Sequence, residues 1–127
     1  MTKIVTFDFD GTLTRKDVQE YFLELIERGV DVWILTSRYD DLHKHRYPKN
    51  PTNEDLWQVV SDLNFPRHKV RFQNMELKAD YLEPTDVIWH LDDDIVELKT
   101  IQKQCTTKAI SVNGNWKSKC EKYLLNL

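Results

Sequence analysis

Apolar residues follow two alternating rhythms along this chain: short unbroken runs, and longer stretches in which they recur every three or four positions. Residues 3–8 predict a first strand. Residues 16–28 predict an amphipathic helix with Val18, Phe22, Leu25 and Ile26 on one stripe and Gly29 at its end. The run VDVWILT, residues 30–36, is apolar enough for a buried second strand. Thr52 or Asn53 offers an N-cap to a helix carrying Leu56, Val59, Val60 and Leu63, with Glu54 and Asp55 in the turn where the helix dipole favours acids. Residues 69–72 predict a third strand, 75–82 a helix, 86–91 a fourth strand, 95–104 a helix, 108–112 a strand and 116–125 a closing helix.

Strands that alternate with helices imply a parallel sheet covered on both faces, a Rossmann-like three-layer α/β sandwich. The 127 residues fit one domain, 1–127, without repeats or a Gly/Ser linker. In such sheets ligands lie beyond the carboxyl ends of the strands, so chemistry is expected there.

Composition narrows the class. A chain that is 40% hydrophobic and 31% charged is ordinary for a globular protein. No apolar run approaches the roughly 18 residues needed to span a bilayer, and Met1-Thr2-Lys3 leads into a core strand rather than a signal peptide. A cytoplasmic location without a membrane partner is the expectation. Cys105 and Cys120 lack ligand spacing and read as thiols in a reducing compartment. A net charge of −3 argues against nucleic-acid binding driven by bulk charge, though not against a local patch.

The chemistry begins at Asp8 and Asp10. Side chains two apart share a face as the first strand ends, and Gly11 lets the chain turn away at once. Paired carboxylates are unfavourable unless a proton or cation sits between them, and a hard divalent ion such as Mg²⁺ resolves that conflict.

The stretch Phe7-Asp8-Phe9-Asp10-Gly11-Thr12-Leu13-Thr14 resembles the first motif, DxDGT, of the haloacid dehalogenase (HAD) superfamily. The resemblance implies that Asp8 is a nucleophile forming an aspartyl-phosphate and that Asp10 is the general acid and base. P-type ATPases have Thr at the second position and dehalogenases lack the acid, so Asp10 points to the phosphatase or phosphotransferase branch.

The same resemblance assigns further roles. At the end of the second strand Thr36, or Ser37 one register away, would donate to a phosphoryl oxygen. Arg38 would clamp phosphate or substrate, unless it pairs with Asp40 or Asp41 at the surface. Lys78, with Lys69 as competitor, would neutralise the nucleophile and the phosphoryl group. Asp92 and Asp93 would complete a Mg²⁺ site with Asp8 and the backbone carbonyl of Asp10, leaving Asp94 to cap the next helix.

Only a helix fits between Thr14 and the second strand, and residues 38–69 leave room for a loop and one helix, so the chain resembles a capless HAD phosphatase. It is similar to the 3′-phosphatase domain of polynucleotide kinase-phosphatase, without a GxxxxGK[ST] kinase motif. The implied activity is Mg²⁺-dependent phosphomonoester hydrolysis. The implied partner is a phosphorylated small molecule, such as a nucleotide, or a nucleic-acid end. Residues 38–50, which mix cations with tyrosines, offer a grip for the latter, and a second copy of the chain is a candidate cover for the open site. The alternatives are a non-catalytic HAD-fold binding or regulatory module, and a phosphotransferase acting on an acceptor other than water. His43 and His45 lack a third ligand for zinc, His90 reads as a packed strand residue, and Trp33, Trp57, Trp89 and Trp116 read as core.

Overall fold

The computed structural model describes residues 2–43 and 52–125. Strands β1 (Ile4–Phe7), β2 (Asp31–Thr36), β3 (Val70–Phe72), β4 (Trp89–Asp92) and β5 (Lys108–Ser111) form one all-parallel sheet in the order β3-β2-β1-β4-β5. Helices α1 (Lys16–Glu27), α2 (Glu54–Asp62), α3 (Lys78–Leu82), α4 (Ile95–Gln104) and α5 (Trp116–Leu125) alternate with them. His45 and the rest of residues 44–51 lie outside the described residues, so the HxH pair and most of the basic, tyrosine-containing stretch are not placed.

Strand alternation sorts the apolar residues onto two faces. Val5 and Phe7 of β1, Val32 and Ile34 of β2, and Trp89 and Leu91 of β4 pack with Val18, Phe22 and Leu25 of α1, Leu56 of α2 and Cys120 of α5. The Phe7 ring meets Phe22 edge-on at 5.1 Å and Trp89 at 5.3 Å. Leu35 turns to the opposite face, where it joins Ala79 and Leu82 of α3 and Ile101 of α4. The sheet is therefore the middle of three layers.

The chain runs outward from β1 through β2 to β3, then crosses back to place β4 on the other side of β1. That reversal opens a crevice between the carboxyl ends of β1 and β4, where open α/β sheets bind ligands.

Several boundaries differ from the sequence expectation. Ile26 is 39% exposed, and Tyr21 takes its place on the buried stripe of α1 because it stacks near Trp89 and Trp116. The helix expected over 75–82 begins only at Lys78. Asn74 and Met75 adopt left-handed φ values of 52° and 66°, and their N–H groups bond to the carbonyls of Arg38 (3.1 Å) and Ser37 (2.7 Å) instead of entering a helix. The fourth strand is shifted toward Asp92, which it buries. Asn53 stands at the start of α2 but does not cap it; its amide donates to the Tyr39 carbonyl and to Asp41 Oδ1. Trp89 and Trp116 are buried, whereas Trp33 and Trp57 are half-exposed at the β3 side.

Candidate active site

Asp8 follows β1 directly, and its N–H is tied to the Leu91 carbonyl of β4 at 2.9 Å, which fixes the two strand ends side by side. The chain then turns through residues 9–13, with Leu13 N–H returning to the Asp8 carbonyl at 3.2 Å and Gly11 at φ 73°. This turn aims the buried Asp8 side chain at the face covered by α3 and α4.

There Lys78 Nζ donates to Asp8 Oδ1 at 2.8 Å and to Asp92 Oδ2 at 2.6 Å, with the lysine side chain only 2% exposed. The Thr12 hydroxyl donates to Asp8 Oδ2 at 3.0 Å. Lys78 can reach this depth because it opens α3, where its backbone N–H donates to Glu97 Oε2 of α4 at 3.2 Å. Lys69 lies elsewhere, paired with Asp31 at 2.6 Å near the opposite end of β2.

The three acids after Leu91 divide their work. Asp92 Oδ2 accepts from both Lys78 and His90 Nε2 (2.7 Å), and its Oδ1 accepts from the Asp94 N–H at 3.0 Å. Most of its lone pairs are thus committed to protein donors. Asp94 caps α4, accepting from Val96 and Glu97 N–H groups at 3.0 and 3.3 Å. Asp93 is exposed, and its carboxylate sits against Gly11. Carboxylate oxygens of Asp8, Asp92 and Asp93 lie within 4.8 Å of one another, the one grouping among the described residues able to hold a metal ion.

Charge follows this geometry. Burial pushes Asp8 well above the usual carboxylate range, although Lys78 opposes the shift. Asp93 is also raised, chiefly by the partial desolvation of its carboxyl where it packs against its neighbours, with Asp92 close by. Asp92 behaves oppositely: despite burial, the donors His90 and Lys78 hold it ionised, below the usual range. Burial alone would lower Lys78, but Asp8 and Asp92 outweigh it and raise the ammonium. Burial lowers His90, so the ring is neutral near pH 7. Because Asp92 is ionised, His90 Nε2 carries the hydrogen, and Nδ1 accepts from the Thr6 hydroxyl at 2.7 Å.

Asp10 is not a member of this carboxylate group. Its side chain is 57% exposed and is held by Arg38, which donates from Nε at 2.9 Å and from Nη2 at 2.7 Å. Of the two surface partners considered for Arg38, neither Asp40 nor Asp41 is the one found; Asp55 of α2 takes the other edge of the guanidinium. Thr36 is buried at the tip of β2, where its Oγ1 accepts the Arg38 N–H at 3.3 Å, and Ser37 contributes its carbonyl to Met75. His43 pairs with Asp40 at 2.7 Å.

The structure therefore brings together Asp8, Lys78, Asp92 and Asp93, with Asp10 and Arg38 as a linked pair. Sequence reasoning missed Thr12, Asp55, Glu97 and the Thr6–His90 support. His90 was within reach, since it stands two residues before Asp92 on one strand face; Asp55 had no such signal.

No protein-family model matches the sequence, and no curated protein matches it. No helix among the described residues is long and apolar enough to cross a membrane.

Proposed function

We propose that this protein is a Mg²⁺-dependent phosphomonoesterase of the HAD type that works through an aspartyl-phosphate on Asp8. The observation that carries this reading is the Asp8 carboxylate: buried, fixed by Lys78 and Thr12, and within metal-sharing distance of Asp93.

The donor set fits the ion. Three clustered carboxylates offer hard oxygen ligands, and a divalent cation would neutralise the negative charge gathered there. Asp8 and Asp93 would hold it, with the Asp10 carbonyl, while Asp92 keeps Lys78 in place. Bound Mg²⁺ would offset the negative charge of the transferring phosphoryl group.

The protein residues do the rest. The Asp8 carboxylate attacks phosphorus, the ester P–O bond breaks, and Asp10 gives its proton to the departing oxygen. Asp10 then takes a proton from water as that water attacks phosphorus, releasing phosphate and restoring Asp8. Lys78 shields charge throughout, and Thr36 supports the β2 tip beside the phosphoryl site.

Among the described residues no separate domain covers the crevice, an arrangement that would admit water and bulky esters. A nucleotide, a phosphorylated nucleic-acid end or another phosphorylated compound suits such a site. Purified protein with Mg²⁺ is expected to hydrolyse 4-nitrophenyl phosphate, and Asp8→Asn to abolish the reaction; turnover that survives this change refutes the mechanism. A panel of phosphorylated metabolites and of 3′- and 5′-phosphorylated oligonucleotides then identifies the substrate, and product analysis separates hydrolysis from transfer to another acceptor.

A further inference from the structure

The Arg38 guanidinium has five N–H donors, and each is already engaged. Nε and Nη2 bind Asp10 at 2.9 and 2.7 Å; Nη1 and Nη2 bind Asp55 at 2.8 Å each; the remaining Nη1 hydrogen reaches Asn53 Oδ1 at 3.4 Å. The face of the group lies over the Phe9 ring at 5.1 Å. The side chain is only 11% exposed.

An arginine arranged in this way has all five donors committed to the protein rather than held open for a phosphate. What it does have is a rigid connection. On one side stands Asp10, on the loop after β1; on the other stands Asp55, in the first turn of α2, where the helix dipole also favours an acid. Asn53 anchors the same corner to the Tyr39 carbonyl.

Isolated exposed ion pairs contribute little, but a planar fork gripping two carboxylates at once is the geometry in which such a pair fixes orientation. Without Asp55 the guanidinium would keep Asp10 but lose the contacts that set its own angle. Asp10 is otherwise exposed and free to rotate.

We propose that Asp55 is a positioning residue for Asp10: acting through the Arg38 fork, it holds the carboxyl group that protonates the leaving oxygen at one orientation. The inference rests on the role given to Asp10 above. It extends the working site to α2, an element that contributes no residue to the cluster around Asp8.

Leaving groups separate this role from a merely structural one. A nitrophenolate departs with little help, whereas an alkoxide needs a proton, and a well-placed general acid is worth about 10²–10⁴-fold. Asp55→Asn is expected to lower kcat for an alkyl phosphate about tenfold more than kcat for 4-nitrophenyl phosphate, a share of that general-acid effect. Arg38→Lys, which keeps the charge but not the fork, is expected to do the same. Equal losses on both esters, or no loss on either, overturn the proposal.

If the wild-type protein hydrolyses neither ester, the functional reading fails and the Arg38 Nε–H resonance decides the positioning claim by itself. A slowly exchanging signal that disappears in both Asp10→Asn and Asp55→Asn upholds it. A signal that persists unchanged in Asp55→Asn overturns it.

Discussion

Gly11 and Asp93 occupy each other's space: a Cβ built on Gly11 would overlap Asp93 Oδ2 and stand 2.8 Å from its Cγ. The turn that follows Asp8 thus does more than redirect the chain. It lets the β4 acid close over the β1 loop, bringing Asp93 into the same few ångströms as Asp8.

Gly11→Ala should therefore separate two costs. Gly11 has φ 73°, a left-handed backbone that a side chain resists by about 1–2 kcal/mol. Gly114 has φ 82° with nothing near its absent Cβ, so Gly114→Ala carries the backbone cost alone. Both variants are expected to lose similar stability in urea unfolding. Only Gly11→Ala is expected to raise the Mg²⁺ concentration needed for half-maximal hydrolysis, because only there must Asp93 move.

Lys78 is the one cation wedged between Asp8 and Asp92, and it is buried with them. Removing one member of such a group leaves uncompensated buried charge, a loss of about 3–5 kcal/mol. Lys78→Met is expected to destabilise the protein on that scale and to abolish turnover. Added Mg²⁺ should recover part of the lost stability, since it binds the same oxygens in the folded state only. Full stability without metal would contradict the charge arrangement described here.

Much of this architecture was legible because the strands are short apolar runs and the helices carry clean three-four spacing. The α4 and α5 boundaries fell where the pattern put them, and Lys16 opened α1 as expected. The start of α3 was not legible, because Asn74 and Met75 satisfy their N–H groups on the carbonyls of Arg38 and Ser37 just beyond β2, tertiary bonds that override helical spacing. The acids were readable from position at strand ends. Which of them binds Lys78 was not: that depends on β4 running one residue further than expected, to Asp92, which is buried while Asp93 stays at the rim. Arg38's partner was also hidden, since Asp55 lies 17 positions away on a different element and no local period links the two.

Away from the site, Glu121 ties α5 to α1. It accepts from Tyr21 Oη at 2.6 Å and from Arg28 Nη1 at 3.0 Å. Burial opposes its ionisation, but these donors prevail and its pKa is lowered in the fold. A depressed folded pKa contributes stability above the unfolded value, about 4.3, and that contribution disappears as pH falls through the folded value. Glu121→Gln should thus cost about 1 kcal/mol at pH 7, on the scale of a hydrogen bond to a charged group. The gap between wild type and variant should narrow as unfolding is measured toward pH 3. A gap that is constant with pH would show that the carboxylate charge plays no part.

Asp92 and Asp93 are neighbours with opposite surroundings, so their variants should fail in different ways. Asp92 spends its oxygens on Lys78, His90 and the Asp94 N–H, and Asp92→Ala leaves the Lys78 ammonium with Asp8 as its remaining acid and His90 Nε2 without its acceptor. Unsatisfied buried donors of this kind cost about 1–3 kcal/mol each, more when charged. Asp93 is exposed, and among the described residues no cation is paired with it, so Asp93→Ala breaks no buried ion pair. Urea unfolding without metal is expected to show Asp92→Ala strongly destabilised and Asp93→Ala close to wild type or slightly more stable. Titration with Mg²⁺ is expected to show the reverse order, with affinity falling most in Asp93→Ala because that acid has oxygens free for the ion. Matching behaviour of the two variants in both measurements would mean that the acids share one role, and the division drawn from their hydrogen bonds would be wrong.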